Sequence, residues 1–264
     1  MDVLRRNNVS VSGHGARTIL FSHGFGCDLS AWRDVAPAFQ DEWRVVLFDH
    51  VGSGNSDVTA YDPNKYAGLS GYAQDVLEVM AALELQEVVF VGHSVAAMIG
   101  MLAAIEQPRR FASLVMLCPS PCYLNDGDYT GGFSRADIDG LLDMLDRNFL
   151  AWSQTTAPAI MGNPERPGLG QSLTESFCRM DPEIARLFAR ATFLSDHRKD
   201  LSRLRIPSFV LQTQADIIAP IAVGEYVAAH LPDSTFEMMR ATGHCPHMSA
   251  PSETIERIRQ YLAA

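Results

Sequence analysis

The amino-acid sequence predicts an α/β fold with a mostly parallel sheet, flanked by helices and carrying an inserted helical cap. Short runs of β-branched and aromatic residues alternate with segments of helical apolar spacing. Such alternation is typical of a parallel sheet covered on both faces. Between residues 119 and 195 only helical stretches occur, which indicates an insertion. We therefore expect a core at 1–118 and 196–264, and a cap at 119–195.

The composition indicates a globular protein that binds a small or neutral molecule. Of the 264 residues, 47% are hydrophobic and 20% are charged, which is enough to build a full core. The net charge of -10 argues against nucleic acid or an anionic membrane as partner, because both require a basic surface. No signal peptide is visible and the five cysteines lack paired metal-ligand spacing, so we expect reduced thiols in a cytoplasmic protein.

The individual elements follow from hydrophobic periodicity and from turn residues. Buried strands are predicted at residues 18–22, 43–49, 88–91, 113–117, 207–212 and 235–239. Core helices are predicted at 69–83, after residue 94, at 220–230 and at 252–262. The predicted cap helices are 136–148, 149–161, 173–179 and 182–194.

A serine lies at the predicted turn between the strand at 88–91 and the helix that follows it. The chain passes through Gly92 and His93 to Ser94 and then into small and straight-chain helix formers. A serine at so sharp a turn presents its hydroxyl at the carboxyl edge of the sheet, so Ser94 is the candidate nucleophile. The usual motif has glycine where this chain has Ala96, which weakens the motif taken alone. A helix-capping role for Ser94 is the alternative.

A glycine-bearing loop follows the first predicted strand. This loop, with the sequence HGFG at residues 23–26, is where a fold of this class places backbone N–H groups to receive a developing oxyanion. The expected donors are the amides of Phe25 and Val95. A plain turn at the end of a strand is the alternative interpretation.

An acid and a histidine follow later strands. Asp216 comes just past the predicted strand at 207–212, and His244 follows the strand at 235–239. Serine, acid and histidine in this chain order are typical of an α/β-hydrolase triad. In such a triad His244 removes the serine proton, and Asp216 holds the other ring nitrogen of the histidine.

Other residues compete for these roles. His247, three residues after His244, is the alternative base, while His93 is interpreted as support for the turn or as part of the pocket lining. The carboxylates less well placed than Asp216, because none comes just past a strand end, are Asp196, Asp200 and Asp233. No HExxH motif and no cluster with metal-ligand spacing occurs, so we predict neither a metal nor a cofactor.

The predicted cap is rich in aromatic residues. They are Phe133, Phe149, Trp152, Phe177, Phe188 and Phe193. Packing between cap helices is the expected role of any single one of them, but together they predict an apolar opening beneath the cap. We therefore expect a small hydrophobic ligand.

With these residues in view, the chain resembles the RsbQ family of bacterial α/β-hydrolases, which are relatives of the plant strigolactone and karrikin receptors. The resemblance covers nearly the whole chain, cap included. It rests on residues 92–100, on 123–126 with 128–133, and on 243–251, whose sequences are GHSVAAMIG, YLND with DYTGGF, and GHCPHMSAP. The family also lacks the motif glycine at the position of Ala96.

The resemblance implies a triad of Ser94, Asp216 and His244, and an oxyanion hole at the Phe25 and Val95 amides. It also implies a four-helix cap over an apolar pocket. The candidate substrate-binding residues are His93, Phe133, Trp152 and Phe193. The plant receptors place pocket aromatics at the positions of Phe25, Trp152 and Phe193. Where they carry a further phenylalanine, this chain has Gln154-Thr155-Thr156, which argues against plant-hormone selectivity.

Two functions are consistent with these residues. The first is turnover of small lipophilic esters or lactones. The second is ligand sensing, with slow or no hydrolysis, in which the cap switches a partner. The RsbQ resemblance implies signalling in energy stress through a PAS-domain phosphatase, so such a regulatory protein is the expected partner.

Overall fold

A seven-stranded sheet forms the centre of the computed structural model, which describes residues 2–263. The strand order is β1-β3-β2-β4-β5-β6-β7. Only β1 runs antiparallel to its neighbour, and the other described strand pairs are parallel. The strands are β1 (Ser10–Ser12), β2 (Arg17–Ser22), β3 (Trp43–Phe48), β4 (Val88–His93), β5 (Phe111–Leu117), β6 (Ser208–Gln212) and β7 (Ser234–Met238). The predicted mostly parallel sheet is confirmed.

Helices cover the sheet and fill the long connection between β5 and β6. The helices outside that connection are α1 (Val3–Arg6), α2 (Leu69–Ala82), α3 (Val95–Glu106), α8 (Ile221–His230), α9 (Pro246–Ser249) and α10 (Pro251–Ala263). The four cap helices are α4 (Arg135–Arg147), α5 (Phe149–Met161), α6 (Pro167–Cys178) and α7 (Pro182–Phe193). No helix within residues 2–263 is long and apolar enough to cross a membrane.

The two faces of the sheet belong to two separate apolar cores. Side chains alternate along a strand, so Leu20 and Phe90 lie in the core with α2 and α3, whereas Phe21 and Val91 lie in the core with α10. All six residues of β4 are buried. This burial on both faces explains the uninterrupted apolar run that precedes Ser94.

The cap helices lie within the predicted 119–195 segment. That the segment behaves as a separate domain, with the boundaries given above, stays a prediction, and residues 1 and 264 of the predicted core lie outside the described residues. The fourth cap helix ends at Phe193 and the second has the predicted bounds.

The main differences from the sequence prediction concern helix α6 and three short elements, β1, α1 and α9. Helix α6 begins at Pro167 and not at residue 173, because Gly168 and Gly170 obscure its helical pattern. Gly170 lets α6 approach α5: a Cβ there would lie 3.1 Å from Cα of Pro158. Strand β1 and helices α1 and α9 were not predicted, since none is long enough to show periodicity.

Two helical glycines allow the tight packing of α3 to be tested. Alanine normally stabilises a helix relative to glycine, so Gly140→Ala on exposed α4, where an added Cβ meets nothing within 4 Å, should raise the free energy of unfolding by about 0.5–1 kcal/mol. At Gly100 on α3 the added Cβ would lie 2.2 Å from the buried Phe90 ring, so Gly100→Ala should lower it by about 1–3 kcal/mol. Urea unfolding measures both; equal effects would contradict the close contact between α3 and β4.

Candidate active site

Ser94 occupies the sharp turn between β4 and α3. Its backbone has φ of 56° and ψ of -124°, a conformation that non-glycine residues rarely adopt. Gly92 makes the turn possible, because a Cβ at this position would lie 2.6 Å from the carbonyl oxygen of Ala96. The Ser94 N–H donates to the carbonyl of Leu117 at the end of β5 (2.8 Å), which holds the turn against the sheet. The methyl group of Ala96, which is fully buried, is accommodated.

A continuous chain of hydrogen bonds joins Ser94, His244 and Asp216. The distance from His244 Nε2 to Ser94 Oγ is 2.8 Å, and that from His244 Nδ1 to Asp216 Oδ2 is 2.7 Å. The Ser94 side chain makes no capping bond to α3, so the helix-capping alternative is not what the structure shows. All three residues are buried. The carboxylate fixes the proton on Nδ1 and leaves Nε2 free to accept the serine proton.

Asp216 is itself held by the turn that follows β6. Its Oδ1 accepts the N–H groups of Ile218 (2.8 Å) and Ala219 (3.0 Å), which leaves Oδ2 to face His244. These bonds fix the direction of the carboxylate. They also satisfy the oxygen that His244 does not use.

The loop that carries His244 is fastened to the cap. The His244 N–H donates to the carbonyl of Ile160 near the end of α5 (3.0 Å). Gly243 precedes it with φ of 82°, and a Cβ there would lie 2.0 Å from the carbonyl oxygen of Met161. The side chain of Asn163 donates to Thr242 O (3.0 Å). The position of the imidazole therefore depends on α5 as well as on β7.

The side chain of His93 is hydrogen-bonded to the loop that carries His244. Its Nε2 donates to the carbonyl of His244 (2.7 Å). Its Nδ1 has no hydrogen-bond partner among the described residues and faces Gly24, where an added Cβ would lie only 2.7 Å away. His93 thus links the serine turn, the histidine loop and the loop after β2.

The two residues predicted to form an oxyanion hole both belong to the site: Phe25 lines the cavity that Ser94 lines, and Val95 follows Ser94 in the chain. Val95 is the first residue of α3, so its N–H has no acceptor within the helix. Phe25 lies in the turn closed by the bond from Cys27 N to Gly24 O (3.2 Å). Neither N–H has an acceptor among residues 2–263. N–H groups without an acceptor are what an oxyanion hole requires, and that role for Phe25 and Val95 stays a prediction.

A small cavity of about 20 Å³ lies above Ser94. It has room for about one water molecule, so a substrate enters only when side chains or cap helices move. Residues of the core and of three cap helices line it: Phe25, Cys27, His93, Ser94, Tyr123, Ile160, Leu173, Phe177, Thr192, Phe193, Ile218, His244 and Cys245.

The structure brings some predicted pocket residues to this cavity and not others. His93 and Phe193 line it. Trp152 lies behind Phe177, with the two rings stacked at a centroid distance of 5.4 Å and an angle of 12°. Phe133 lies behind Phe193, with centroids 6.3 Å apart. Trp152 and Phe133 are therefore not lining residues in this conformation, because Phe177 and Phe193 stand between them and Ser94.

Eight lining residues were not predicted as site residues, and two of them, Tyr123 and Thr192, carry hydroxyl groups. Tyr123 is almost fully buried, and its hydroxyl lies beside the Ser94 side chain. Burial raises the pKa of Tyr123 above its usual value, so the hydroxyl stays protonated. The other six are Cys27, Ile160, Leu173, Phe177, Ile218 and Cys245. The only sequence signal for Tyr123 was its place in the YLND string, and Thr192 gave none.

The alternative base, His247, is not in contact with the serine. Its ring is fully buried and lies against Trp32 (4.5 Å) and His93 (4.4 Å). Neither ring nitrogen has a hydrogen-bond partner among the described residues. Burial lowers the pKa of His247 to about 3, with a smaller contribution from His244. His247 is therefore a neutral packing residue.

One group of side chains has the closeness that a metal site needs. Ligand atoms of Cys118, Asp216 and His244 lie within 4.8 Å of one another. However, Asp216 and His244 already share a hydrogen bond, and burial raises the pKa of the Cys118 thiol well above its usual value, which disfavours the thiolate. These donors fit a catalytic hydrogen-bond chain and not a metal site.

The fold and this hydrogen-bonded serine, histidine and carboxylate define an α/β-hydrolase. Residues 17–251 match the alpha/beta hydrolase fold, and the chain belongs to that family. The sequence prediction of an α/β-hydrolase enzyme is thereby confirmed.

Several relatives match nearly the whole chain. A strigolactone esterase from Arabidopsis thaliana is 37% identical over 262 residues, which are 99% of this chain and 98% of the relative. A karrikin insensitive 2 receptor from Petunia hybrida is 35% identical, covering 97% of this chain and 93% of its own. The solved structure of a hydrolase from Oleispira antarctica has a TM-score of 0.97 at 39% identity, covering 99% and 96% of the two chains. The predicted similarity to strigolactone and karrikin proteins is confirmed.

Four buried histidines around Ser94 should make stability depend on pH. Burial lowers the pKa of His23, His50, His93 and His247 in the folded protein. The unfolded chain takes up these protons near pH 6.5, whereas the folded chain does so only at lower pH. The stabilisation is therefore complete above pH 6.5 and is lost as the pH falls, by up to about 1.4 kcal/mol per pH unit for each histidine.

Urea unfolding between pH 7.5 and pH 5.0 measures this slope. In His247→Leu the free energy of unfolding should depend less steeply on pH, by the equivalent of about one proton. The control His14→Gln, which removes an exposed histidine, should keep the wild-type slope. Parallel curves for wild type and His247→Leu would show that burial does not lower the pKa of His247.

Proposed function

We propose that this chain is a serine hydrolase of the RsbQ type that cleaves small hydrophobic esters or lactones and serves a regulatory role. The observation that carries the proposal is the unbroken hydrogen-bond chain from Ser94 through His244 to Asp216. Such a chain converts a weak hydroxyl nucleophile into one that attacks a carbonyl group.

Each step of the reaction has a group in place. Ser94 Oγ attacks the carbonyl carbon while His244 Nε2 takes its proton, and the new oxyanion lies between the Phe25 and Val95 amides. The tetrahedral intermediate then collapses, the carbon–oxygen bond to the alcohol breaks, and His244 returns the proton to the leaving oxygen. Water attacks the acyl-serine by the same route and releases the acid. With a lactone, the alcohol and the acid remain one molecule.

The cavity supports a small apolar substrate. Phe25 is the centre of an aromatic group, with ring centroids of Phe177, Phe188 and Phe193 at 5.7, 5.4 and 6.3 Å. Such walls bind hydrocarbon and exclude water, which strengthens the electrostatic steps. Because the present cavity holds about one water molecule, these rings have to part for a substrate.

A sensing function is the second candidate, supported by the closed cavity and by the relatives named as receptors. In that case, ligand capture or slow hydrolysis changes the surface of the cap and so the binding of a regulatory protein, such as a PAS-domain phosphatase. Ordinary turnover of about 1–10³ per second supports the first function. A burst of product followed by turnover orders of magnitude slower supports the second.

The nucleophile is tested with p-nitrophenyl acetate and p-nitrophenyl butyrate. Wild type should release p-nitrophenol, and Ser94→Ala should lose at least about 10⁴-fold in kcat, because no other group in the site forms the acyl intermediate. The exposed Ser202→Ala should behave as wild type. Wild-type rates in a folded Ser94→Ala protein would place the nucleophile elsewhere.

The acid is tested by Asp216→Asn. The asparagine oxygen should still accept the N–H groups of Ile218 and Ala219, which turns the amide nitrogen toward His244 Nδ1. His244 then carries its proton on Nε2 and cannot accept one from Ser94, so kcat should fall by about 10⁴-fold without unfolding. Circular dichroism and p-nitrophenyl butyrate hydrolysis measure the two properties; full activity would exclude Asp216 as the acid.

A further inference from the structure

Thr192 lines the cavity above Ser94 and has a buried hydroxyl group that is not hydrogen-bonded to any described residue. The residue lies on cap helix α7, is 2% exposed and lines the cavity together with Ser94 and His244. Its Oγ1 has no hydrogen-bond partner among the described residues. Buried hydroxyl groups are normally paired, so this hydroxyl calls for a partner that comes from outside the chain.

Three other helical threonines of this protein pair their hydroxyls within the helix. Thr155, Thr174 and Thr254 each donate to the carbonyl four residues earlier in the helix, at 3.0, 2.9 and 3.1 Å. That acceptor is the usual one for a threonine in a helix. The corresponding carbonyl for Thr192 is that of Phe188, and no such bond forms. The Thr192 hydroxyl therefore keeps its hydrogen-bonding capacity, in a residue that lines the cavity.

The remaining polar groups of the lining do not compete for this role. His93 Nδ1 also lacks a partner, but the backbone of Gly24 covers it. The Tyr123 hydroxyl lies at the reacting end, beside Ser94. The Tyr123 ring contacts Phe193, the neighbour of Thr192, at a centroid distance of 5.0 Å. The lining thus includes two hydroxyl-bearing side chains, Tyr123 beside Ser94 and Thr192 on cap helix α7, together with aromatic rings.

From this arrangement, and resting on the proposed function, we infer that the substrate is a small ester or lactone with a second oxygen. That oxygen, in an ether, carbonyl or hydroxyl group apart from the scissile ester, accepts a hydrogen bond from Thr192. A site built to pair a substrate oxygen discriminates against the analogue that lacks it, because the hydroxyl of the site is then left unpaired. Thr192 is accordingly a specificity-determining residue.

Matched esters that differ by one oxygen test the inference. On the acyl side, p-nitrophenyl methoxyacetate is compared with p-nitrophenyl butyrate; on the alcohol side, 2-methoxyethyl acetate is compared with butyl acetate. The measured quantity is the ratio of kcat/KM within each pair, for wild type and for Thr192→Val, which keeps the shape of the side chain. Intrinsic reactivity cancels when the two proteins are compared. Thr192→Ser retains the hydroxyl, and the exposed Thr155→Val is the matched control.

In at least one pair, the kcat/KM ratio of the oxygen-bearing ester to its analogue should be at least about 10-fold higher in wild type than in Thr192→Val. Thr192→Ser and Thr155→Val should retain the wild-type ratio. Unchanged ratios in both pairs, with activity that still depends on Ser94, would overturn the inference and leave the hydrolase function standing. No hydrolysis of any of the four esters by folded wild type would remove the proposed function and the inference with it.

Discussion

The site depends on one constrained backbone conformation, that of Ser94. Its positive φ directs the hydroxyl out of the sheet. The chain can adopt it only because the second-last residue of β4 is Gly92, where a Cβ would meet the Ala96 carbonyl, and because α3 begins at once. The buried strand and the buried helix on either side hold this conformation, since neither can shift without opening a core. Packing thus maintains the strained backbone of Ser94, and this backbone sets the position of the Ser94 hydroxyl relative to His244.

The triad residues were predictable because topology alone brings them together. Ser94, Asp216 and His244 follow the ends of β4, β6 and β7, and the carboxyl ends of parallel strands meet at one edge of a sheet. The chain order matched a known type of hydrolase, and His244 was preferred to His247 because it follows the last predicted strand more directly. No detail of side-chain packing was needed for these assignments. The regular repetition of strand and helix made the fold predictable for the same reason.

The lining of the cavity was less predictable because it depends on how each cap helix is rotated about its axis. Trp152 and Phe177 are both aromatic and both lie on cap helices, yet only Phe177 reaches the cavity. Thr192 has no pattern that separates it from a helical threonine such as Thr155; only the missing bond to a carbonyl does so. Hydrophobic periodicity shows which face of a helix is buried, but it does not show which buried side chain lines a cavity.

The bond from His244 N–H to the carbonyl of Ile160 has a mechanical consequence. The bond couples the His244 loop to α5, a helix that lines the cavity. The side chain of Asn163, which donates to Thr242 O, holds the same loop. A rotation of α5 that widens the cavity also changes the distance between the imidazole and the serine. Access to the cavity and the distance between His244 and Ser94 therefore depend on the same displacement.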